Sequence, residues 1–421
     1  MTHGATDRRN MTVVKTLTYL MFAMFAMTTD SVGIIIPEVI RTFQLSLTAA
    51  GTFQYATMAG IATAGLLLGQ LADRFGRRRT IVVGLTLFAV ACFLLAAGDA
   101  FVFFAIMMGL SGLAIGVFKT GALALIGDIS VSTAQHTSIM NTAEGFFGVG
   151  AIIGPAMLAR VLAAGLSWKW LYVIAGTLCV ALIVLAIVVR YPETGKPSGE
   201  RGFTGTGRAM RNPYVLAFSA GAFLYVGVEA AVYVWMPTLL TSDTGSASAL
   251  AAYSISIFFF LRAAGRFLGA WLLTRFQWQA VLALVSGSIL ICFALSAVGG
   301  VSWAMYLLPF SGLFMSVVYP TINSKGISCV PRSDHGAAAG VILFFTCASA
   351  VLAPMAIGAV GDAMGHIAYG FWLATGFATL LFLSLLLNWL LNPTQVLLER
   401  LDVTEYRQEL AREGSRRALT S

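Results

Sequence analysis

The chain has 421 residues, of which 58% are hydrophobic and only 10% are charged, and its mean hydropathy is +0.85. A soluble domain carries about 25% charged residues, so this composition excludes an ordinary soluble protein and indicates a chain embedded in a lipid bilayer. The net charge of +8 therefore bears on orientation in a membrane, and we expect no nucleic-acid partner. The five cysteines have neither paired nor metal-ligand spacing, so we predict no disulfide framework, no metal site and no cofactor.

Twelve apolar runs are long enough to cross a bilayer, which takes roughly 20 residues per helix, so we predict an all-α membrane protein. In chain order the runs cover residues 17–40, 51–72, 80–98, 102–127, 139–164, 168–190, 213–240, 247–274, 277–297, 302–325, 336–360 and 367–391. The stretch 191–212, rich in Gly, Pro and Arg, is typical of a linker between two six-helix halves, 17–190 and 213–391. Residues 1–16 and 392–421 are the tails.

Basic residues predict the orientation of these helices, because Lys and Arg accumulate on the cytoplasmic side of a membrane. With both tails and the linker in the cytoplasm, most of the 26 lysines and arginines fall on that side. The loop after the second run alone carries Arg74, Arg77, Arg78 and Arg79. We therefore expect a multi-pass protein of the plasma membrane, the inner membrane of a bacterium, with both termini in the cytoplasm.

The loop between the second and third runs carries an ordered motif. Residues 69–79 read G-Q-L-A-D-R-F-G-R-R-R, which resembles the signature loop of the major facilitator superfamily. The resemblance implies that glycine permits close helix packing, that Asp73 caps or pairs across the interface between the halves, and that the arginines anchor the cytoplasmic face. It predicts gating roles for Gly69, Asp73, Arg74, Gly76, Arg77 and Arg78. The alternative is an ordinary basic turn without a gating role.

An internal repeat supports two matched halves. A degenerate copy of the loop motif starts at Ala270 and has Thr274 where the first copy has Asp73. The Gly-Pro pair at 154–155 in the fifth run is likewise matched by the Ala-Pro pair at 353–354 in the eleventh. Parallel repeats of six helices are the arrangement described for the major facilitator superfamily, with the substrate site near the midplane between the halves.

Several ionisable residues lie inside the predicted helices, where each charge is a candidate for function. Asp30 lies near the middle of the first run and Glu229 near the middle of the seventh, whereas Lys119 and Glu144 lie toward the cytoplasmic side. Burial away from water disfavours the charged form of a carboxyl group, so we predict that Asp30, helped by Glu144 and Glu229, carries the coupling protons. A static ion pair between Lys119 and Glu144 is the structural alternative for those two residues.

Three segments resemble the fucose permease group, the fucose–galactose–glucose:proton symporters. Residues 312–322 read G-L-F-M-S-V-V-Y-P-T-I, residues 225–229 read Y-V-G-V-E, and residues 150–153 read G-A-I-I. The resemblance covers both halves and implies proton-coupled uptake of a small hydroxylated solute.

Three departures from that group leave the solute open. The group's carboxylate in the first helix falls on Gly33, although Asp30 lies one turn earlier on much the same face. Its glutamate in the fourth helix falls on Lys119, and its glutamine in the fifth helix falls on Glu144. A lysine in the cavity suits the carboxylate or phosphate of an anionic solute, so a sugar and an organic anion are both retained.

Further polar and aromatic residues are predicted to face the cavity, where rings would stack on a sugar and amides would bind hydroxyl groups. Packing or anchoring at the membrane interface is the alternative for each of them. Arg262 and Arg266 lie one turn apart in the eighth run, and Arg266 is predicted to be a structural contact at the cytoplasmic end. With the charged candidates, the predicted substrate-binding set is Gln54, Tyr55, Lys119, Asn141, Glu144, Glu229, Tyr233, Tyr319 and Asn323.

These observations predict a monomeric, proton-coupled secondary transporter that moves a small polar solute by alternating access. The alternative is a proton-driven efflux antiporter, because residues 150–155 (G-A-I-I-G-P) partly fit the antiporter motif of the fifth helix. An enzyme is not expected, because the sequence contains no H-E-x-x-H, no G-x-S-x-G and no phosphate-binding loop.

Overall fold

The computed structural model describes residues 2–67, 75–129, 133–189, 191, 208–244, 249–330 and 335–394. Within these ranges the chain is almost entirely helical, and 11 helices are long and apolar enough to cross a membrane. The second predicted span is the helix Thr52–Leu67, whose 16 described residues end where the described range ends. The prediction of an all-α membrane protein with twelve spans in two bundles is confirmed.

Within the described residues, the first six spans comprise eight helices. They are α1 (Thr2–Thr29), α2 (Val32–Phe43), the short α3 (Leu47–Ala50), α4 (Thr52–Leu67), α5 (Arg77–Ala97), α6 (Phe101–Asp128), α7 (Thr133–Ala163) and α8 (Lys169–Val188). The first span is a single apolar stretch, Asn10–Phe43, made of α1 and α2 in succession. Helix α1 begins well before the predicted start of that span, so part of the predicted N-terminal tail is helical.

The second six spans also comprise eight helices in the part of the chain that the structure describes. They are α9 (Pro213–Ala230), α10 (Met236–Thr244), α11 (Ala249–Arg275), α12 (Trp278–Gly299), α13 (Val301–Met315), α14 (Val318–Ile327), α15 (His335–Met364) and α16 (Ile367–Leu391). A π-helical turn, Ala231–Trp235, joins α9 to α10.

The two bundles repeat the same helix pairing. In the N-terminal bundle α1 packs on α7, α4 on α6 and α5 on α8; in the C-terminal bundle α9 packs on α15, α11 on α13 and α12 on α16. The bundles meet where α7 packs on α11, α4 and α3 on α15, and α2 on α10. The space between them is therefore bounded by helices from both halves.

Among the described residues, three spans are interrupted within their length, and their sequences explain the interruptions. Between α1 and α2, the hydroxyl groups of Thr28, Thr29 and Ser31 donate to backbone carbonyls of the preceding turn, which bends helices. Pro237 and Pro320 lack the N–H that would bond the carbonyl four residues earlier. Those carbonyls lie in the π-helical turn and at the break between α13 and α14.

The two ends of the molecule differ in charge. The end that carries Arg77, Arg78 and Arg275 is called the basic end, and the charge distribution predicts that it faces the cytoplasm. The opposite end, which carries α3 and the C-terminus of α15, is called the distal end. Helix α15 runs from the basic end to the distal end and contacts the other bundle along its distal part.

Candidate substrate and proton site

The interruption of the first span positions Asp30 between the bundles. Asp30 lies between α1 and α2 and its backbone N–H still bonds to the carbonyl of Ala26 at 3.1 Å. Its side-chain Oδ2 accepts a hydrogen bond from the Thr29 hydroxyl at 3.2 Å. The carboxylate is thus held by one neutral donor on its own helix and is near the positive charge of Arg262 in the other bundle.

Glu229 and Arg262 form a buried ion pair within the C-terminal bundle. Arg262 Nη1 on α11 is 2.6 Å from Glu229 Oε1 on α9, and the two side chains are 22% and 10% exposed. The guanidinium also lies over the Phe259 ring, 5.9 Å from its centroid. Within the described part of the chain, Arg262 Nε has no hydrogen-bond partner.

Asp30, Glu229 and Arg262 together make a three-charge group that spans the two bundles. Arg262 lies within electrostatic range of both carboxylates, and Asp30 comes from the opposite bundle to the other two. Sequence reasoning named both carboxylates but gave Arg262 no role. The sequence did contain the information needed to predict this pair. A buried acid such as Glu229 requires a buried basic partner, and Arg262 is a basic residue on the following span.

The structure does not pair Lys119 with Glu144. Lys119 Nζ lies over the Phe147 ring, 5.4 Å from its centroid, and Glu144 is exposed. Among the described residues, no ion pair joins Lys119 to Glu144 within 4.0 Å. Lys119 thus packs against an aromatic ring on α7 and is partly exposed.

Replacing Lys119 with glutamine should therefore change stability little. Because no carboxylate loses a partner, we expect the free energy of unfolding to fall by no more than about 1 kcal/mol, the scale of an exposed cation–π contact. Thermal unfolding of the purified protein in detergent measures this. A loss of several kcal/mol would show instead that Lys119 belongs to a static ion pair.

Polar groups from both bundles also meet beside the three-charge group. Gln54 is fully buried, and its Nε2 lies 3.5 Å from the hydroxyl of Tyr233, which the π-helical turn carries. Gln54 Oε1 accepts no hydrogen bond from any residue in the described ranges. A buried amide oxygen without a donor is costly, and a hydroxyl or ammonium group of a solute would supply that donor.

The other predicted binding residues occupy several environments. Tyr319 is partly exposed and stacks on Tyr225, with the ring centroids 6.1 Å apart, and Asn323 lies one turn further along α14. Tyr55 lies toward the distal end, where its hydroxyl donates to the carbonyl of Pro354 at 3.2 Å. The side chain of Asn141 lies outside the described part of the structure.

The predicted gating loop is only partly described. Gly69, Asp73 and Arg74 lie outside the described residues. Gly76 precedes α5 with a φ of 84°, a left-handed conformation that favours glycine. Arg77 Nε is 2.7 Å from Asp128 Oδ2 at the end of α6, and Arg78 donates to the last carbonyls of α8. These arginines therefore tie α5 to two neighbouring helices at the basic end.

No metal site is formed by the described residues, among which no group of three or more His, Cys, Asp or Glu side chains is close enough to hold an ion. The groups between the bundles can exchange protons and form hydrogen bonds. Carboxylates, a guanidinium, an ammonium group and phenol hydroxyls line this space.

Three known proteins show what the chain is similar to. A glucose/galactose transporter of Brucella abortus is 25% identical over 367 residues, which is 83% of this chain and 88% of the relative. A bacterial homologue of the human lysosomal transporter Spinster, solved inward-facing and occupied, matches with a TM-score of 0.71 at 16% identity, covering 90% of this chain and 96% of its own. The transporter FucP, solved in the outward conformation, matches with a TM-score of 0.63 at 20% identity, covering 89% and 98%.

The sequence profile described as Major Facilitator Superfamily matches residues 18–354. That match begins in the first span and extends into the eleventh, so it includes both bundles and the residues between them. The shared fold and this profile agree with the repeated helix pairing described above. The chain is a multi-pass membrane transporter that belongs to the Major Facilitator Superfamily.

Proposed function

We propose that this protein is a proton-coupled symporter of a small polar solute, a sugar or a sugar-like organic anion, that works by alternating access. In this proposal the basic end faces the cytoplasm of a bacterium and Asp30 is the residue that takes up the proton. The observation that carries the proposal is that Asp30, from one bundle, interacts electrostatically with Arg262, which forms an ion pair with Glu229 in the other bundle.

The three-charge group gives protonation a mechanical consequence. When Asp30 is ionised, it attracts Arg262 across the interface, in competition with Glu229. When Asp30 is protonated, that attraction is lost and Arg262 is held by Glu229 alone. Because the bundles move relative to each other during transport, the proton binds the two conformations with different free energies, which is what an equilibrium shift requires.

The solute would bind next to this group. Gln54 and Tyr233 come from different bundles, and a solute hydroxyl between them would satisfy the buried Gln54 oxygen. Tyr319 and Asn323 add a ring and an amide on α14. The name of the Brucella relative favours a hexose, and Lys119 keeps an anionic sugar derivative within the proposal.

The alternative of efflux by antiport rests on residues 150–155. The structure uses two of these residues for packing within one bundle: a methyl group at Gly150 would lie 2.0 Å from the carbonyl of Ala23, and one at Gly154 2.2 Å from that of Met27. Such packing between α7 and α1 is compatible with either direction of transport. The direction of the driving gradient separates the two functions.

Uptake into proteoliposomes tests the proposal. With the lumen alkaline to the medium, we expect wild-type protein to accumulate labelled D-galactose, D-glucose or D-galacturonate by up to about tenfold per pH unit, since one coupled proton contributes about 1.4 kcal/mol per unit. Asp30→Asn should abolish the response to the gradient and retain exchange of labelled for unlabelled solute. Neutral asparagine keeps the size of the side chain but holds no exchangeable proton.

The matched control is Asp99→Asn, because Asp99 pairs with Lys169 at the distal surface and is 90% exposed. This variant should respond to the gradient as the wild type does. Accumulation that survives in Asp30→Asn would remove Asp30 from the coupling role. Accumulation driven only by an acidic lumen would favour the antiporter.

A further inference from the structure

The distal end is closed by a contact between α3 and the C-terminus of α15. Both oxygens of Asp362 accept hydrogen bonds from the first turn of α3: Leu47 N lies 2.6 Å from Oδ1, and Thr48 N lies 2.8 Å from Oδ2. The third N–H, that of Ala49, bonds to the Ser46 hydroxyl oxygen at 3.2 Å. The N–H groups that begin a helix have no partner within it, so α3 depends on the other bundle for two of them.

The position of Asp362 relative to two helix ends favours its contact with α3. A carboxylate near a helix C-terminus is disfavoured by the partial negative charge there, whereas one at a helix N-terminus is stabilised. Asp362 lies two residues before the end of α15 and faces the N-terminus of α3. The N–H groups of α3 therefore add to the stability of its charge while the bundles are in contact at the distal end.

A second contact lies two turns deeper along α15. The carbonyl oxygen of Pro354 accepts hydrogen bonds from the Tyr55 hydroxyl at 3.2 Å and from Trp235 Nε1 at 2.9 Å. Tyr55 belongs to the N-terminal bundle, and Trp235 ends the π-helical turn of the C-terminal bundle. One carbonyl thus joins three helices, and Trp235 is fully buried in this contact.

Glycines on the same face of α15 let these groups approach. A methyl group at Gly358 would lie 2.9 Å from the Trp235 ring and 3.4 Å from Thr48 N, and one at Gly361 would lie 2.6 Å from the Leu47 side chain. Positions 354, 358, 361 and 362 follow the spacing of one helical face. The face is therefore shaped to receive α3, Tyr55 and Trp235.

We propose that this face of α15 is a latch that holds the distal end shut, with Asp362, Tyr55 and Trp235 as its gating residues. The assignment moves Tyr55 from substrate binding to gating. The latch rests on alternating access but is independent of proton coupling. Every one of its bonds between bundles breaks when the distal end opens, so weakening the latch raises the population of the distal-open conformation.

A native cysteine offers the readout. Cys347 on α15 is the one of the five free cysteines that is not buried, and it lies near Lys119 and Tyr319 between the bundles. A membrane-impermeant maleimide applied at the distal face should label Cys347 slowly in the wild type. We expect labelling roughly tenfold faster in Asp362→Asn and Tyr55→Phe, because each variant loses a hydrogen bond between the bundles.

Control variants show which cysteine is labelled and whether the bonds between bundles determine the rate of labelling. Cys347→Ser should remove the label, and Asp99→Asn should label as the wild type does, because its ion pair lies within one bundle. Tyr55→Phe removes only a hydroxyl group and tests the latch if Asp362→Asn does not fold. Labelling from the basic end should fall in the variants as distal labelling rises.

Unchanged distal labelling in folded Asp362→Asn and Tyr55→Phe would overturn the latch. The measurement uses neither a pH gradient nor a solute, so its failure would leave the symport proposal standing. Conversely, faster labelling would be expected even if the protein moved its solute without protons.

Discussion

Replacing Arg262 with methionine should cost about 3–5 kcal/mol of stability, because it leaves the Glu229 carboxylate buried without its partner. The ion pair is 2.6 Å long and both side chains are largely buried. Methionine keeps the length of the side chain without its charge. The expected result is a large drop in unfolding temperature in detergent and little protein in the membrane.

Two further variants isolate the cause. Arg262→Met combined with Glu229→Gln should recover much of the stability, because position 229 then carries no unpaired charge. Arg266→Met is the matched control, since Arg266 is exposed and lies one turn along the same helix. Equal losses of stability in Arg262→Met and Arg266→Met would show that helix α11 needs positive charge in general, and that the Glu229–Arg262 ion pair is not the cause.

Gly33→Ala should trap the transporter with its distal end open. A methyl group at Gly33 would lie 2.0 Å from the backbone carbonyl of Tyr233 in the other bundle. That carbonyl is the one that Pro237 leaves without its partner in the helix. A backbone carbonyl cannot move away from the methyl group as easily as the end of a flexible side chain can. We expect gradient-driven uptake to be lost and Cys347 to be labelled quickly from the distal face.

Gly150→Ala provides the contrast, because its methyl group would lie equally close, 2.0 Å, to a carbonyl within the same bundle, that of Ala23. That clash is present whichever end is open, so it should lower the unfolding temperature without favouring either conformation. If Gly33→Ala folds, transports and labels as the wild type does, the bundles do not close as tightly as this structure shows.

The architecture was predictable from the sequence because its signals are long and redundant. Each span contributes roughly 20 apolar residues, and basic loops recur on one side, so errors at single residues do not alter the count. The motif at residues 69–79 and the repeated proline at 155 and 354 were sufficient to indicate the superfamily, although residues 68–74 lie outside the described structure.

The contacts between bundles were not predictable by the same means. A span that is apolar on all sides does not reveal how it is rotated about its axis. The sequence therefore placed Lys119 and Glu144 at similar depth but could not show that they form no ion pair. Asp362 lay in a polar break between spans, and nothing local links it to Leu47, 315 residues earlier.

The interruptions of the helices could be predicted in part from the sequence. Pro237 and Pro320 each free the carbonyl four residues earlier, which predicts irregular backbone at Tyr233 and Ser316. The interruption at Asp30 has a subtler origin in successive Thr and Ser hydroxyl groups. These breaks lie beside the proposed site, as π-helical turns often do.

Coupled movement of solute and proton can be tested by following the proton itself. Proteoliposomes holding a pH-sensitive dye, with equal pH inside and outside, receive whichever of D-galactose, D-glucose or D-galacturonate the protein takes up. We expect that adding this solute outside acidifies the lumen with wild-type protein and with Asp99→Asn. We expect no acidification with Asp30→Asn, although exchange of labelled solute continues. Solute entry into wild-type liposomes without any lumenal acidification would rule out proton symport.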